Sequence, residues 1–320
     1  MNEFSNIITS LLSFVSFFHI IKLIVKGRHM MERLEITKMN RRTFLKKLLG
    51  IGAGGMLATS LSYYYARFIE PRQLTVTHHV ISHPLIPEEF TGIKLLQFSD
   101  VHLGHYYGLK RFRRIIQKIN ELQPDIVLFT GDLLDEPNKY PHIEAVASEL
   151  SRIRAPLGKF SIYGNHDHGG YGTNIYRDIM EKAGFRMLVN EHTLIRKARS
   201  FIAIAGGDDM MLGKPDFSKM IKSIPDSTYT IVLLHEPDGA MQMSRYPVHL
   251  QLSGHSHGGQ VQLPFIGPLI TPPLSETYYE GFYQINHLTL YVNRGLGTTR
   301  IPLRFLSPPE LTVFTLQHQA

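Results

Sequence analysis

Residues 93–102 read IKLLQFSDVH, and residues 126–132 read IVLFTGD. In both stretches an apolar run is followed by an aspartate, which is typical of a buried strand that ends at a polar loop. Between them, residues 109–122 carry apolar side chains at helical spacing, and Pro124 ends this helix. A strand, a helix and a strand in this order predict a parallel pair joined by a right-handed crossover. The pattern therefore indicates an α/β fold.

The rest of the chain continues this pattern and then changes it. A helix is predicted at 143–153 and a strand at 160–163. After about residue 188 the predicted strands become shorter and follow one another more closely. They cover 193–196, 201–205, 230–234, 248–252, 260–263, 289–292 and 311–316. We expect this half to form a second, mixed sheet, so that two stacked sheets with helices outside are the simplest architecture.

Composition and charge exclude several classes of site and partner. The 320-residue chain is 43% hydrophobic, which is enough for a large core, and it has no Cys for disulfides, thiolate metal sites or nucleophiles. Its formal net charge is +7, but residues 1–72 hold 11 of the 34 Lys and Arg and 4 of the 27 Asp and Glu. The excess lies entirely in this leader. Because residues 73–320 are neutral overall, nucleic acid is an unlikely partner.

The leader has the features of an export or anchoring segment. Residues 7–25 are a candidate transmembrane span, and a basic segment follows them. Arg41 and Arg42, followed by Phe, Leu and Lys, resemble a twin-arginine export signal over residues 39–66. This predicts export by the twin-arginine translocase to the outer face of the cytoplasmic membrane or the cell wall, with the N-terminal segment contacting the membrane. An ordinary signal anchor is the alternative. Cleavage of the leader and translation of residues 1–38 are left open.

Five polar groups follow apolar strands along the chain. They are Asp100-Val101-His102, Gly131-Asp132, Gly164-Asn165-His166-Asp167, His235 and Gly254-His255-Ser256-His257. Ligand sites in open α/β sheets lie outside the carboxyl ends of the strands, so all five groups can converge on one crevice. Carboxylate, imidazole and amide ligands without sulfur favour Mn, Fe, Zn or related divalent ions.

In this order, the motifs D-x-H, G-D, G-N-H-D, H and G-H-x-H resemble those of the calcineurin-like binuclear metallophosphoesterases. The resemblance covers roughly residues 93–320, and it implies a four-layer α/β/β/α sandwich in residues 73–320 with two divalent metal ions. It implies that Asp100, His102, Asp132 and His257 hold one ion, and that Asp132, Asn165, His235 and His255 hold the other. Asp132 would then bridge the two ions.

The resemblance also implies a mechanism and two catalytic residues. A metal-bridging hydroxide would attack phosphorus, and His166 would give a proton to the leaving oxygen. Asp135 matches a carboxylate that orients this histidine, although the leucines between Asp132 and Asp135 leave that role open. His105, His168, Asp208 and Arg294 are expected to border the substrate pocket, with loop or structural roles as the alternative.

These residues predict an exported hydrolase of phosphoric ester bonds that acts on a phosphodiester or pyrophosphate. The expected substrate is a phosphoester small molecule, polymer or lipid of the cell envelope. One alternative is a UDP-2,3-diacylglucosamine-type pyrophosphohydrolase or another lipid-linked nucleotide hydrolase. Another is a non-catalytic metal-binding envelope protein.

Overall fold

The structure, a computed structural model, describes residues 40–168 and 173–320. The chain divides into two compact units, Met1–Leu61 and Ser62–Ala320. A helix, α1, covers Arg41–Tyr64, and the side-chain oxygen of Asn40 accepts the amide of Thr43 (2.8 Å) at its start. Within residues 40–168 and 173–320, no helix combines the length and apolar character that a membrane crossing requires. The predicted span at 7–25, and Met39 of the predicted export signal, lie outside the described residues.

The second unit contains most of the secondary structure. Its strands are β1 Thr75–His83, β2 Lys94–Phe98, β3 Ile126–Phe129, β4 Gly158–Ser161, β5 Arg186–Met187, β6 Glu191–Lys197, β7 Ser200–Gly206, β8 Thr230–Leu233, β9 Leu250–Ser253, β10 Gln262–Leu263, β11 Gly267–Pro268, β12 Gly281–Ile285, β13 Leu288–Val292 and β14 Glu310–His318. Its helices are α2 Leu109–Glu121, α3 Ile143–Ser151, α4 Thr173–Lys182, α5 Phe217–Ile221 and α6 Ala240–Met243.

Two six-stranded mixed sheets form the centre of this unit. The first has the order β1-β14-β2-β3-β4-β5, in which β2 to β5 are parallel and β14 is antiparallel to β2. The second has the order β12-β13-β9-β8-β7-β6, with β12 and β6 antiparallel to their neighbours. The predicted pair of mixed sheets is confirmed.

Three apolar layers separate the sheets and helices. Successive side chains of a strand face opposite sides, so Leu96 packs with the helix residue Phe112, while Leu95 packs with Ile231 of the second sheet. On the far side of the second sheet, Val232 packs with Met220 of α5. The order of layers is therefore helix, sheet, sheet, helix, as the four-layer prediction requires.

The last long strand was assigned to the wrong half of the molecule. Residues 311–316 were expected in the second sheet, but β14 lies in the first sheet between β1 and β2. Both faces of β14 are apolar, because Val313 packs on the helix side and Phe314 packs between the sheets. Such a pattern predicts a central strand without indicating which sheet contains it.

The second unit begins at Ser62 and so includes a segment that precedes β1. Glu70 is buried there, and its carboxylate accepts the amide of Ser307 (2.6 Å). This bond joins the segment before β1 to the segment before β14.

Candidate metal centre

Polar loops at the carboxyl ends of five strands meet at one edge of the two sheets. Asp100 and His102 follow β2, Asp132 follows β3, and the loop with Asn165 and His166 follows β4. From the second sheet, His235 follows β8, whereas His255 and His257 follow β9. The strands are parallel in each set, so their carboxyl ends point the same way.

Six of the seven predicted metal ligands form two clusters. Asp100, His102 and His257 make the first, and Asp132, His235 and His255 make the second. Within each cluster the ligand atoms lie within 4.8 Å of one another. The clusters are adjacent, because the Oδ2 atom of Asp132 lies 3.4 Å from His235 Nε2 and also 3.4 Å from His102 Nε2. Asp132 therefore lies between them, as the bridging role requires.

The backbone of this centre has an uncommon conformation at the ligand positions. Asp100, His102, Asp132, His255 and His257 all have φ between +46° and +68°. This region is strained for residues other than glycine, and such residues concentrate at functional sites. In this backbone conformation the chain changes direction after each strand, at the residues that carry the ligands.

Two glycines allow the loops to approach this closely. A Cβ atom on Gly164 would overlap the carboxylate of Asp132, and one on Gly254 would overlap the side chains of Ser99 and Asp100. Only a residue without a side chain leaves the carboxylates in place.

A family model described as calcineurin-like phosphoesterase matches residues 93–259, which include every ligand from Asp100 to His257. The chain belongs to this family. It is 50% identical over 281 residues to the metallophosphoesterase YkuE of Bacillus subtilis (strain 168), an alignment that covers 88% of this chain and 98% of that protein.

Two further relatives of this phosphoesterase chain have names that state a reaction. The UDP-2,3-diacylglucosamine pyrophosphatase LpxG of Chlamydia trachomatis is 27% identical and is aligned with 80% of this chain over 93% of its own length. The phosphodiesterase YaeI of Escherichia coli (strain K12) is also 27% identical, over 87% of this chain and 99% of its own. The chain is accordingly a hydrolase of phosphoric esters.

The chemistry of the clusters fits divalent cations. His235 Nε2 and Asn165 Oδ1 are buried and have no hydrogen-bond partner among the described residues, so each has a lone pair free for a cation. In His235 and His255, one ring nitrogen bonds a main-chain carbonyl. His235 Nδ1 bonds the carbonyl of Thr130 (2.6 Å), and His255 Nε2 bonds the carbonyl of Pro273 (2.9 Å). Metal-binding histidines are held in this way by main-chain carbonyls.

Burial and neighbouring charges shift the pKa of most ligands in the phosphoesterase centre. Burial alone would raise the pKa of Asp132, but the imidazoles of His235 and His166 outweigh it and hold this pKa well below its usual range. Burial, together with the neighbouring His235, lowers the pKa of His255 to about 4. Burial and His102 lower the pKa of His257 as well. Asp132 is therefore ionised, and His255 and His257 are neutral, as metal ligands are. Burial alone would lower the pKa of His102 and of His235, but the surrounding carboxylates outweigh it and raise both, so a cation that binds here would displace protons from these two rings.

His166 lies beside both clusters and is partly exposed, with 26% of its side chain accessible. Its amide donates to Asp132 Oδ1 (2.9 Å), and its Nδ1 bonds the main-chain carbonyl of Asp135 (2.8 Å). The Asp135 carboxylate is farther away, at 3.7 Å from His166 Nδ1 and 3.6 Å from His102 Nδ1. The main chain of Asp135 thus orients His166, and its carboxylate lies between two imidazoles.

The predicted substrate-side residues fall into two groups. His105 lines a cavity of about 880 Å³ that Asp135 also lines, so it lies on the His166 side of the centre. His168 Nε2 pairs with Asp208 Oδ1 at 3.0 Å, and Asp208 also accepts the amide of Lys214 (2.9 Å). His168 and Asp208 therefore form a pair that holds a loop.

Arg294 is engaged by a buried carboxylate. Its Nε donates to Glu310 Oε2 (2.9 Å), and 19% of its side chain is accessible. This contact fixes the guanidinium group at the start of the loop that follows β13.

Two residues that the sequence did not single out support the metal ligands. The Asp167 carboxylate is fully buried and accepts the amides of Asp132 (2.6 Å), Leu133 (3.1 Å) and Gly164 (3.1 Å). It therefore ties the loop after β3 to the loop after β4. The motif G-N-H-D contains Asp167 and could have indicated it.

Arg304 contacts the loops that carry His257 and Gly297. It is fully buried, donates to the carbonyls of Gly297 and Ser307 (2.9 and 2.8 Å), and lies 3.4 Å from His257 Nδ1. Burial and the nearby Arg111 lower the pKa of Arg304 to about 9. No sequence pattern marks this arginine, because its partners are main-chain atoms of separate loops.

Proposed function

We propose that this chain hydrolyses phosphodiester or pyrophosphate bonds of a cell-envelope substrate outside the cytoplasm. Two divalent ions (Mn, Fe or Zn) would be held by the two clusters, with Asn165 as a further ligand. The observation that carries the proposal is the position of Asp132 Oδ2, 3.4 Å from one imidazole of each cluster. When bound, two such ions supply Lewis acidity and lower the pKa of water from 15.7 to about 7.

We assign the proton transfer to His166. The Asp135 carbonyl can only accept a hydrogen bond, so Nδ1 of His166 carries the hydrogen of this bond. The other ring nitrogen, Nε2, is then the atom that gives the proton to the leaving group. A leaving alkoxide needs a proton, and a positioned imidazole gives one at the moment the bond breaks. Asp135 acts through this ring and is a positioning residue.

The test compares two leaving groups. His166→Ala is expected to lower kcat for an alkyl phosphodiester by about 10²–10⁴-fold, the usual range for a lost general acid. Hydrolysis of bis-p-nitrophenyl phosphate with added Mn²⁺ should fall much less, because p-nitrophenolate leaves without a proton. His78→Ala, which removes an exposed imidazole from β1, is the control. Equal losses on both substrates would refute the role of His166.

The same assay separates catalysis from a purely structural centre. A metal-loaded chain that hydrolyses no phosphodiester or pyrophosphate, in wild type and variants alike, would instead support the non-catalytic metal-binding alternative.

A second candidate function, hydrolysis of a lipid-linked nucleotide such as UDP-2,3-diacylglucosamine, is favoured by an apolar hairpin. Residues 260–275 contain no charged side chain, and Phe265, Ile266 and Ile270 are strongly exposed. The segment starts directly after the His257–Gly259 turn. Near its other end it contacts the metal centre again, through the carbonyl of Pro273 and the ring of His255. Exposed apolar residues joined at both ends to metal ligands are suited to hold an acyl chain beside the reacting bond.

The hairpin is tested with a double variant, Phe265→Ser with Ile266→Ser. Loss of two apolar contacts of roughly 1.5–3 kcal/mol each should lower kcat/KM for UDP-2,3-diacylglucosamine by about a hundredfold or more. Turnover of bis-p-nitrophenyl phosphate should be unchanged, and Val80→Ser on the exposed face of β1 is the control. A wild-type chain that turns over the soluble diester but not the lipid substrate would exclude this second candidate alone.

Export is proposed through the twin-arginine route, supported by Arg41 and Arg42 at the start of α1. Replacing both with Lys keeps the charge and should leave the folded protein in the cytoplasm. Replacing Lys46 and Lys47 with Arg is the matched control. Unchanged export of the twin-lysine variant would refute the route, and a wild-type chain that stays in the cytoplasm would refute the location.

A further inference from the structure

A cavity of about 570 Å³ lies apart from the metal centre, and no candidate metal ligand lines it. One wall is the segment that contains the Tyr65–Ile69 and Glu70–Arg72 turns, and another is the amino-terminal part of α2. Five of its lining residues are cationic: Arg67, Arg72, Lys110, Arg111 and Arg114. None of its lining residues is Asp or Glu. The cavity is therefore strongly electropositive.

These cations are not neutralised by acidic side chains. In residues 40–168 and 173–320, the ion pairs of Lys and Arg involve other positions. Arg111 instead donates to the carbonyl of Pro71 and lies 4.3 Å from the ring centre of Tyr107. Arg72 donates to the carbonyl of Phe68. Main-chain oxygens and a ring face hold these guanidinium groups in place while leaving their charge uncompensated.

The helix beside the cavity adds to this positive charge. The amino-terminal end of a helix carries a partial positive charge and favours acidic residues, but the first turn of α2 has none. Lys110, Arg111 and Arg114 lie in its first two turns instead, and Gly108 provides no side-chain cap. Burial lowers the pKa of Arg111, and the charge of Arg72 lowers it further. An anion in the cavity would relieve this repulsion.

The rim of the cavity combines charge with exposed apolar surface. Tyr106 lines the cavity and is 42% exposed, and Arg67 lies 5.5 Å from the centre of its ring. Phe68 and Ile69, next to Arg67 in the chain, are also exposed. A phosphate group attached to an apolar portion would find partners for both of its parts here.

We propose that this cavity binds a phosphate-bearing anion, either a phospholipid headgroup or a soluble phosphate. The guanidinium groups supply fork-shaped donors that match phosphate oxygens, and Lys110 supplies a point charge. The site is independent of hydrolysis at the metal centre, so it can be tested whether or not that function is correct.

The test uses a pair of double variants of the full, metal-loaded chain. Lys110→Gln with Arg114→Gln removes two exposed cations from the cavity. Lys222→Gln with Arg199→Gln removes one exposed lysine and one exposed arginine elsewhere and is the matched control. Both variants retain the basic leader, and both should keep wild-type turnover of bis-p-nitrophenyl phosphate, which verifies folding and the metal centre.

Two probes distinguish the sources of phosphate. Sedimentation with vesicles of phosphatidylglycerol and phosphatidylcholine measures the first source. The cavity variant should bind these vesicles about tenfold more weakly than the control, or more weakly still, because two cations are lost near an anionic surface. Titration calorimetry with inorganic phosphate should show one site fewer in the cavity variant if soluble phosphate is the ligand. Loss in the vesicle arm alone identifies a lipid headgroup. Equal binding by both double variants in both arms would overturn the proposal.

Discussion

Replacement of His249 with Asn should make the free energy of unfolding less sensitive to acid. His249 lies at the start of β9, outside the metal centre, and its ring stacks on Tyr229 with centroids 5.3 Å apart. Its Nδ1 accepts the amide of Thr230 (3.1 Å), so this nitrogen is unprotonated in the folded chain. Burial, and then the nearby imidazole of His83, lower the pKa of His249 to about 4.

The sign and size of the effect follow from this pKa. The unfolded chain binds a proton at His249 near the ordinary pKa of 6.5, whereas the folded chain does so only near 4. The folded state therefore keeps its full stability with respect to His249 above pH 6.5, where this ring is neutral in both states. That stability is lost as the pH falls toward 4, because the unfolded chain binds the proton first. Proton linkage with these two values gives a loss of about 2 kcal/mol between pH 7 and pH 5. The loss levels off at roughly 3 kcal/mol below pH 4.

Urea unfolding of the metal-loaded full chain at pH 7, 6 and 5 provides the measurement. Asn keeps an acceptor for Thr230 but does not titrate, so the difference between wild type and His249→Asn should change by about 2 kcal/mol in favour of the variant at pH 5. Taking the difference removes the titrations that both proteins share, including those of the metal ligands. His78→Asn on the exposed face of β1 is the control and should show no such change. A wild-type-minus-variant difference that stays constant from pH 7 to pH 5 would refute the reasoning.

Three further outcomes are expected. Gly164→Ala should abolish most metal-dependent activity, because its Cβ would displace the Asp132 carboxylate. Gly108→Ala is the control and should retain activity, because the space around Gly108 is open. Metal content per chain and turnover are measured for both variants. Arg304→Lys leaves carbonyls without donors and His257 without its neighbour, so we expect a loss of about 1–3 kcal/mol in urea unfolding and weaker metal retention; full metal content and wild-type stability would contradict this. Chelation should lower Tm, and Mn²⁺ at a hundredfold excess over its Kd should restore about 2.7 kcal/mol; a Tm that chelation does not change would show that no metal binds.

Much of the first half of the fold could be predicted from sequence, because buried parallel strands are continuous apolar runs. The apolar runs at 93–98 and 126–130 predict β2 and β3, and each run differs from its strand by one residue at one end. β1 was not predicted. It is an edge strand whose side chains are at most half-buried, so its residues show little apolar alternation. The placement of β14 depends on contacts with a strand that is distant in sequence, which no local pattern encodes.

The metal centre could be predicted because its chemistry restricts residue type. Only a few side chains bind divalent ions, and six of the seven predicted ligands meet in two clusters. Supporting residues escaped prediction for the opposite reason. Arg304 and Asp167 act on main-chain atoms, and main-chain atoms are present at every position. Asp135 was named from the sequence as a residue that orients His166, but it bonds this ring through its carbonyl rather than its carboxylate, and a main-chain contact of this kind has no sequence signal.

The position of β14 also constrains when the protein can fold. β14 separates β1 from β2, so the pairing of β1 with β14 joins the first strand of the domain to residues far along the chain; Ser82 is paired with Gln317, 235 residues later. A nascent chain cannot complete this sheet until the residues of β14 have been synthesised. Pairing at such separation is also slow, because loop closure must precede the contacts that reward it. Closure of the first sheet thus waits for β14, which gives a newly made chain an interval in which chaperones and targeting factors can act on it before the sheet closes.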